Sequence, residues 1–376
     1  KNQQADLTHI QFFHNRHQDK ESIMNAPLLK RAGSSLLLDT IFSQRDTDLG
    51  LLEKNGQLES TLFQLKHPRM EQIVLGRLAP DIDREPFASV LWQELALLAY
   101  QDKKTFMHSL GVAYILRKMI TEEGATRQYI ERSMRHHALT NGTFFAAALL
   151  HDIGKYILRE IIHDGRTKKE WARLVNQTLG TEVFDPAYLK NHVSETAFDT
   201  YLHACGIDPI DCIPLEASFP PEVLALLEAR GIPKELTFRK AIDLHEEGTY
   251  WLLRRHTGME TVAEIAAWHH SCHEIPIDAM PYPVETSALR IAVTQCLHLA
   301  DTLQALISGF RSYKGMFHPL IALAIIIRDT KSHHLDRGLT KAFVQDQLRQ
   351  FARSADSTAN DPDLLTASHT VYRFVA

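Results

Sequence analysis

Four separate segments carry a histidine or an aspartate on a helical stripe that is otherwise apolar, and this constrains the fold more than any other feature. Val112, Ile115, Leu116, Met119 and Ile120 follow His108 at helical spacing, so the histidine sits on the core-facing side of one helix. Phe144, Ala147, Ala148 and His151 share a second face, Val262, Ile265, Ala266 and His269 a third, and Leu297, Asp301 and Ala305 a fourth. Strand-like alternation is nearly absent. The spacing predicts an all-α chain in which several helices direct polar groups into one bundle interior.

One such residue alone is usually a core histidine bonded to a backbone carbonyl. Several together would each cost several kcal/mol of desolvation unless paired or bound to metal, so their joint occurrence points to a site. The residues involved are His108, the adjacent pair His151 and Asp152, His245, the adjacent pair His269 and His270, and Asp301. Imidazole nitrogens and carboxylate oxygens suit iron, manganese or zinc, and the set exceeds what one tetrahedral ion needs. Two ions fit better, with Asp152 bridging them. His108, His151 and Asp301 are then the ligands of one ion, and His245, His269 and His270 those of the other. Neighbouring helical residues point about 100° apart, so His269 and His270 serve together only at a helix end. Lys155, one turn after Asp152, is placed to face a phosphate, and Gly248 is expected to leave open space beside His245.

Composition limits the partners. The chain of 376 residues has 41 Lys and Arg against 46 Asp and Glu, a formal charge of −5, which offers no strong field for a nucleic-acid polymer or an anionic membrane. No run reaches the ~18 apolar residues of a membrane span, and no charged-then-apolar leader opens the chain. The four cysteines lack CxxC spacing, which fits a reducing cytoplasm. Domain boundaries are read as an N-terminal helical region at 1–97 with no interpretable motif, a main domain at 98–350 and a tail at 351–376. Within the main domain, the proline-rich stretch 160–233 reads as a helical insertion.

The ordered pattern resembles the HD superfamily of metal-dependent phosphohydrolases, and within it most resembles the HD-GYP cyclic-di-GMP phosphodiesterases. The matching segments are His108-Ser-Leu-Gly, His151-Asp-Ile-Gly-Lys155, Leu236-Thr237 leading to His245-Glu-Glu-Gly248, His269-His270, and Ala300-Asp-Thr-Leu followed by Arg311-Ser-Tyr-Lys314. The resemblance implies metal roles for the seven residues above, a phosphate contact for Lys155 and substrate contacts for Arg311 and Lys314. It also implies an iron or manganese centre that opens a cyclic dinucleotide by attack of metal-bound hydroxide. Of the family's loop after the paired histidines, only Tyr282-Pro283 remains, and Lys104 stands where some members place a glutamate for a third metal, which favours two ions. Two other readings are a non-catalytic HD-related output domain that serves as a signalling scaffold, and an HD phosphohydrolase acting on mononucleotides. A homodimer, or a signalling partner at residues 1–97, is the expected association.

Overall fold

The computed structural model describes residues 34–55, 57, 70–134, 139–190, 193, 195–270, 288–308, 317–332, 335–352 and 362–375. Among them the chain is helical, with no strand beyond an isolated bridge between Pro214 and Thr237. Three helices precede the segment that carries the first candidate ligand: α1 (Ser34–Lys54), α2 (Met70–Ile82) and α3 (Ala88–Gln101). α4 (Lys103–Thr121), α5 (Ala125–Met134) and α6 (Asn141–Leu150) follow, and a 3-10 turn occupies Ile153–Leu158. The proline-rich stretch forms α7 (Lys168–Leu179), α8 (Pro186–Leu189), α9 (Glu195–Cys205) and α10 (Pro221–Ala229). α11 (Phe238–Arg254), α12 (Glu260–Ala267), α13 (Ala288–Ile307), α14 (Pro319–Ser332), α15 (Arg337–Ala352) and α16 (Pro362–Val375) complete the chain.

Local chemistry fixes where the ligand-bearing helices begin. The Asp102 side chain accepts from Thr105 N at 2.9 Å and starts α4, Thr140 Oγ1 accepts from Thr143 N at 3.1 Å and starts α6, and Thr237 caps α11. Each satisfies an amide that the first helical turn leaves without a partner. α6 is the central element, with every residue from Gly142 to Leu150 buried, and it packs against α2, α4 and α12. α4 and α12 also contact α13, while α11 lies along the 3-10 turn and against α12. The ends of these elements therefore converge.

α1 to α3 do not form a core of their own. α3 runs through residue 97, and Ile41, Leu52, Leu75, Leu78, Leu91 and Leu95 belong to the same hydrophobic core as α6. A buried ion pair, Arg45 with Glu94, joins α1 to α3 and is shielded at 1% and 4% side-chain exposure, so it binds two apolar surfaces at a position where a lone charge would be costly. Glu94 also meets His256 at 3.0 Å, and its carboxyl is held well below the usual range because Arg45 and His256 outweigh burial. Asp48 of α1 accepts from Tyr156 Oη at 2.6 Å and from Gln101 at 2.8 Å. The first described helix is thus fastened directly to the 3-10 turn.

Candidate metal centre

His151 is the C-cap of α6, and Asp152 and Lys155 follow on the 3-10 turn. His108 projects from α4, His245 from α11 and Asp301 from α13, while His269 and His270 stand just beyond the end of α12 at Ala267. The structure brings all seven into one cluster. His108, His151 and Asp301 present donor atoms within 4.8 Å of one another, as do His245, His269 and His270, and also His151, Asp152 and His269.

Asp152 lies between the two sets. Its Oδ2 is 3.4 Å from His151 Nε2 and 3.6 Å from His108 Nε2, while its Oδ1 is 3.4 Å from His245 Nε2. Asp301 faces the same interior, with Oδ1 at 2.7 Å from His108 Nε2 and 3.8 Å from His151 Nε2, and Oδ2 at 3.8 Å from His270 Nε2. Ligands each about 2.1 Å from one ion and 90–110° apart would sit roughly 3.0–3.4 Å from each other. Most of the observed separations are at or slightly above that range.

The outward sides of the rings explain their orientation. His151 Nδ1 bonds Ala148 O at 2.8 Å, His245 Nδ1 bonds Ile242 O at 2.7 Å and His269 Nδ1 bonds Ala266 O at 2.6 Å. In each case a ring N–H donates to the carbonyl three residues earlier, which leaves Nε2 aimed inward. For His151 and His269 this carbonyl is one that the end of the helix leaves unpaired, so the short helices α6 and α12 create their own orienting acceptors. The negative ends of both helix dipoles also face the cluster and favour cations there. His108 Nδ1 is held by Gln304 Oε1 of α13 instead.

The inner atoms are buried yet unsatisfied. His151 Nε2, His245 Nε2, His269 Nε2 and Asp152 Oδ1 are shut off from water without a hydrogen-bond partner, and the equally buried His108 Nε2 and Asp301 Oδ1, 2.7 Å apart, have only each other. Orphaned polar atoms this concentrated are costly unless something else binds them. Burial drives the His245 imidazole down to about 4 and His269 well below its ordinary value, so both are neutral donors. Burial opposes ionisation of Asp152 and Asp301, but Lys155 and His151 beside Asp152, and His108 and His151 beside Asp301, hold both carboxyls well below their usual range. Burial also pushes His151 down, and the two carboxylates overcome it and lift the imidazole to about 9. Neutral His245 and His269 beside the ionised Asp152 and Asp301 are a donor set that fits divalent cations.

Close backbone approach holds the halves together. Thr249 Oγ1 donates to His151 O at 2.9 Å and accepts from Gly154 N at 2.9 Å, which joins α11 to the turn. A Cβ on Gly154 would lie 1.9 Å from His245 O, and one on Gly248 would meet Ile157 Cδ1 at 2.9 Å and Gly154 O at 3.2 Å. The space beside His245 at Gly248 is therefore filled, not open: the two glycines let the turn and the helix touch. Thr249 and Gln304 were not singled out by the sequence, where an isolated Thr or Gln on a helix carries no distinguishing pattern. Lys155 Nζ bonds Asp152 Oδ2. His163 pairs with the α4 cap Asp102 at 2.8 Å. His298 Nδ1 bonds His269 O at 2.8 Å and so braces the segment that carries the paired histidines. Arg311, Lys314 and the segment Ser271–Pro283 lie outside the described residues.

Residues 105–199 match the family model of the HD domain, an all-α fold whose presence implies metal-dependent phosphohydrolase chemistry. The match contains His108, His151, Asp152 and Lys155 and ends before His245, His269, His270 and Asp301. None of the curated proteins and none of the solved structures matches the chain. Among the described residues no helix is long and apolar enough to cross a membrane.

Proposed function

We propose that the protein is a phosphodiesterase that opens a cyclic dinucleotide, cyclic-di-GMP or a relative, at a centre of two divalent ions, iron or manganese. The observation that carries this reading is the position of Asp152, whose two oxygens face opposite sets of imidazoles, as a bridging carboxylate requires. His108, His151 and Asp301 would hold one ion, and His245, His269 and His270 the other. When bound, such ions supply the positive charge that polarises a phosphoryl group and makes water nucleophilic at neutral pH.

The remaining roles fall to the chain itself. Lys155 keeps Asp152 ionised and places a cation at the edge of the cluster, where it offsets charge gathering on phosphoryl oxygens. His270 is the most open of the seven, at 39% side-chain exposure, and marks the side from which substrate arrives. His270 and Asp301 are among the residues that line a cleft of about 1100 Å³. Pockets for drug-sized ligands run about 300–1,000 Å³, so this cleft has room for a dinucleotide.

Incubating manganese- or iron-loaded protein with cyclic-di-GMP, cyclic-di-AMP and mononucleotides, and resolving the products by chromatography, tests the proposal. Linear dinucleotide should form, and Asp152→Ala should abolish it. Release of phosphate from mononucleotides with the cyclic substrates left intact would replace this reading with a mononucleotide phosphohydrolase. Protein that takes up no metal would leave only a scaffold.

A further inference from the structure

α1 docks through a mixed stripe. Ile41, Arg45, Asp48 and Leu52 recur at steps of four, three and four, so they share one helical face, and Ile41, Arg45 and Leu52 are buried. The ends of the stripe are apolar and its centre is polar. Arg45 pairs with Glu94 of α3, and its guanidinium lies 4.9 Å from the centre of the Tyr156 ring. Asp48 accepts from Tyr156 Oη at 2.6 Å, from Gln101 Nε2 at 2.8 Å and from Arg159 at 3.4 Å. Apolar contacts alone would let a helix slide or turn at little cost, whereas these directional bonds fix one register.

Tyr156 belongs to the turn that presents Asp152 and Lys155. It follows Asp152 by four residues and Lys155 by one, on the 3-10 segment Ile153–Leu158. A 3-10 segment has poorer internal hydrogen-bond geometry than an α-helix, so tertiary contacts decide where it sits. Thr249 of α11 holds its start, at His151 O and Gly154 N, and Arg230 donates to Ile157 O at 3.1 Å. Asp48 holds Tyr156 between them. Burial and the Asp48 carboxylate raise the Tyr156 pKa, which keeps the phenol protonated as the donor. α1 lies wholly before residue 105, where the match to the HD domain begins, so this contact is an addition to the matched segment.

We propose that Asp48 is a positioning residue for the metal centre: by holding Tyr156 it sets where the turn places Asp152 and Lys155, so the site is complete only with α1 docked. Metal sites tolerate ligand displacements of only about 0.2 Å, which makes Asp152 a sensitive reporter of the turn's position. The two oxygens of Asp152 face both sets of imidazoles, so a shift of the turn is felt at both. The inference rests on the cluster holding metal, as in the proposed phosphodiesterase, and not on which substrate is cleaved.

Chelator competition for Mn²⁺ on the full chain, and the visible spectrum of the cobalt(II)-loaded protein, test it without turnover. Asp48→Ala and Tyr156→Phe should each weaken Mn²⁺ binding by about three- to tenfold, the worth of one hydrogen bond to a charged group, and shift the cobalt bands. The double variant should lose no more than Asp48→Ala alone, because both changes remove the same bond. Asp48→Asn keeps an acceptor for Tyr156 Oη and should restore most of the affinity. Tyr129→Phe controls for stability: it removes a bond of the same kind, Tyr129 Oη to Asp336 at 2.6 Å, between segments that carry no ligand, and should leave affinity and spectrum unchanged. Thermal melting shows whether each variant is folded. Wild-type affinity and spectrum in folded Asp48→Ala and Tyr156→Phe proteins, or an equal loss in Tyr129→Phe, overturns the inference. The two proposals fail separately: turnover of a different substrate by metal-loaded protein replaces the proposed reaction and leaves Asp48 its task, whereas wild-type protein without metal ends both.

Discussion

Gly154→Ala should damage the metal centre without altering any ligand. The added methyl would lie 1.9 Å from His245 O, 2.4 Å from Thr249 N and 2.7 Å from Thr249 Oγ1, against an ordinary contact of about 3.4 Å or more. The nearest two are backbone atoms, so no rotamer change relieves the clash, and α11 must retreat from the turn by roughly 1 Å or more. Overpacking of this kind costs typically 1–3 kcal/mol, and the loss of the Thr249 link between Gly154 N and His151 O adds about 1 kcal/mol. A total near 3 kcal/mol should lower the melting temperature by several degrees. The retreat carries His245 with it, and metal sites tolerate ligand displacements of only about 0.2 Å. Metal content should therefore fall further than the stability loss alone explains. Gly76→Ala is the control, since a Cβ there meets nothing within 4 Å, and at this exposed position of α2 it should stabilise by up to about 1 kcal/mol. Differential scanning calorimetry with elemental analysis on the same samples reads both effects. A Gly154→Ala protein with wild-type melting and full metal would refute the argument that contact between the turn and α11 builds the site.

Gln304→Leu removes the partner of His108 Nδ1 and should cost 10–100-fold in metal affinity, read by competition with a chelating dye, with little change in secondary structure by circular dichroism. Arg45→Met leaves the Glu94 carboxylate buried beside only His256 and Arg255 and should destabilise by about 3–5 kcal/mol in urea unfolding, whereas Arg45→Met with Glu94→Leu should recover most of that loss. Asp211 has a folded pKa of about 6, raised by burial and by Asp208 and Asp243 against Arg239 and Lys240, so its protonated form is favoured in the fold. Its contribution is present below the unfolded value near 3.8 and is lost as pH rises through 6. Asp211→Asn should accordingly raise stability by on the order of 1–3 kcal/mol at pH 7–8 and by almost nothing at pH 4, as urea midpoints at the two pH values would show.

The parts legible in the sequence are those with a helical period. His108, His151, His269 and Asp301 stand out because a polar residue on an apolar stripe breaks the pattern, and each lies in the cluster. The placing of His269 and His270 at a helix end follows from the 100° between neighbours, and α12 does end at Ala267. What holds these residues in place has no such signature. The carbonyl acceptors at Ala148, Ile242 and Ala266 are backbone atoms of ordinary residues, and Gln304 and Thr249 act across gaps of 196 and 98 residues. Gly248 invites a reading as open space because sequence shows the missing side chain and not the neighbour that fills its place. Arg45 looks like a surface charge on α1 until Glu94, 49 residues on, is seen buried against it.

Metal stoichiometry of the freshly purified protein bears most directly on the claim that these seven side chains form one binuclear centre. Elemental analysis should find two divalent ions per chain, falling to one or none in Asp152→Ala. A full complement of metal in a folded Asp152→Ala protein, or no uptake of iron, manganese or zinc by the folded wild type, would contradict it.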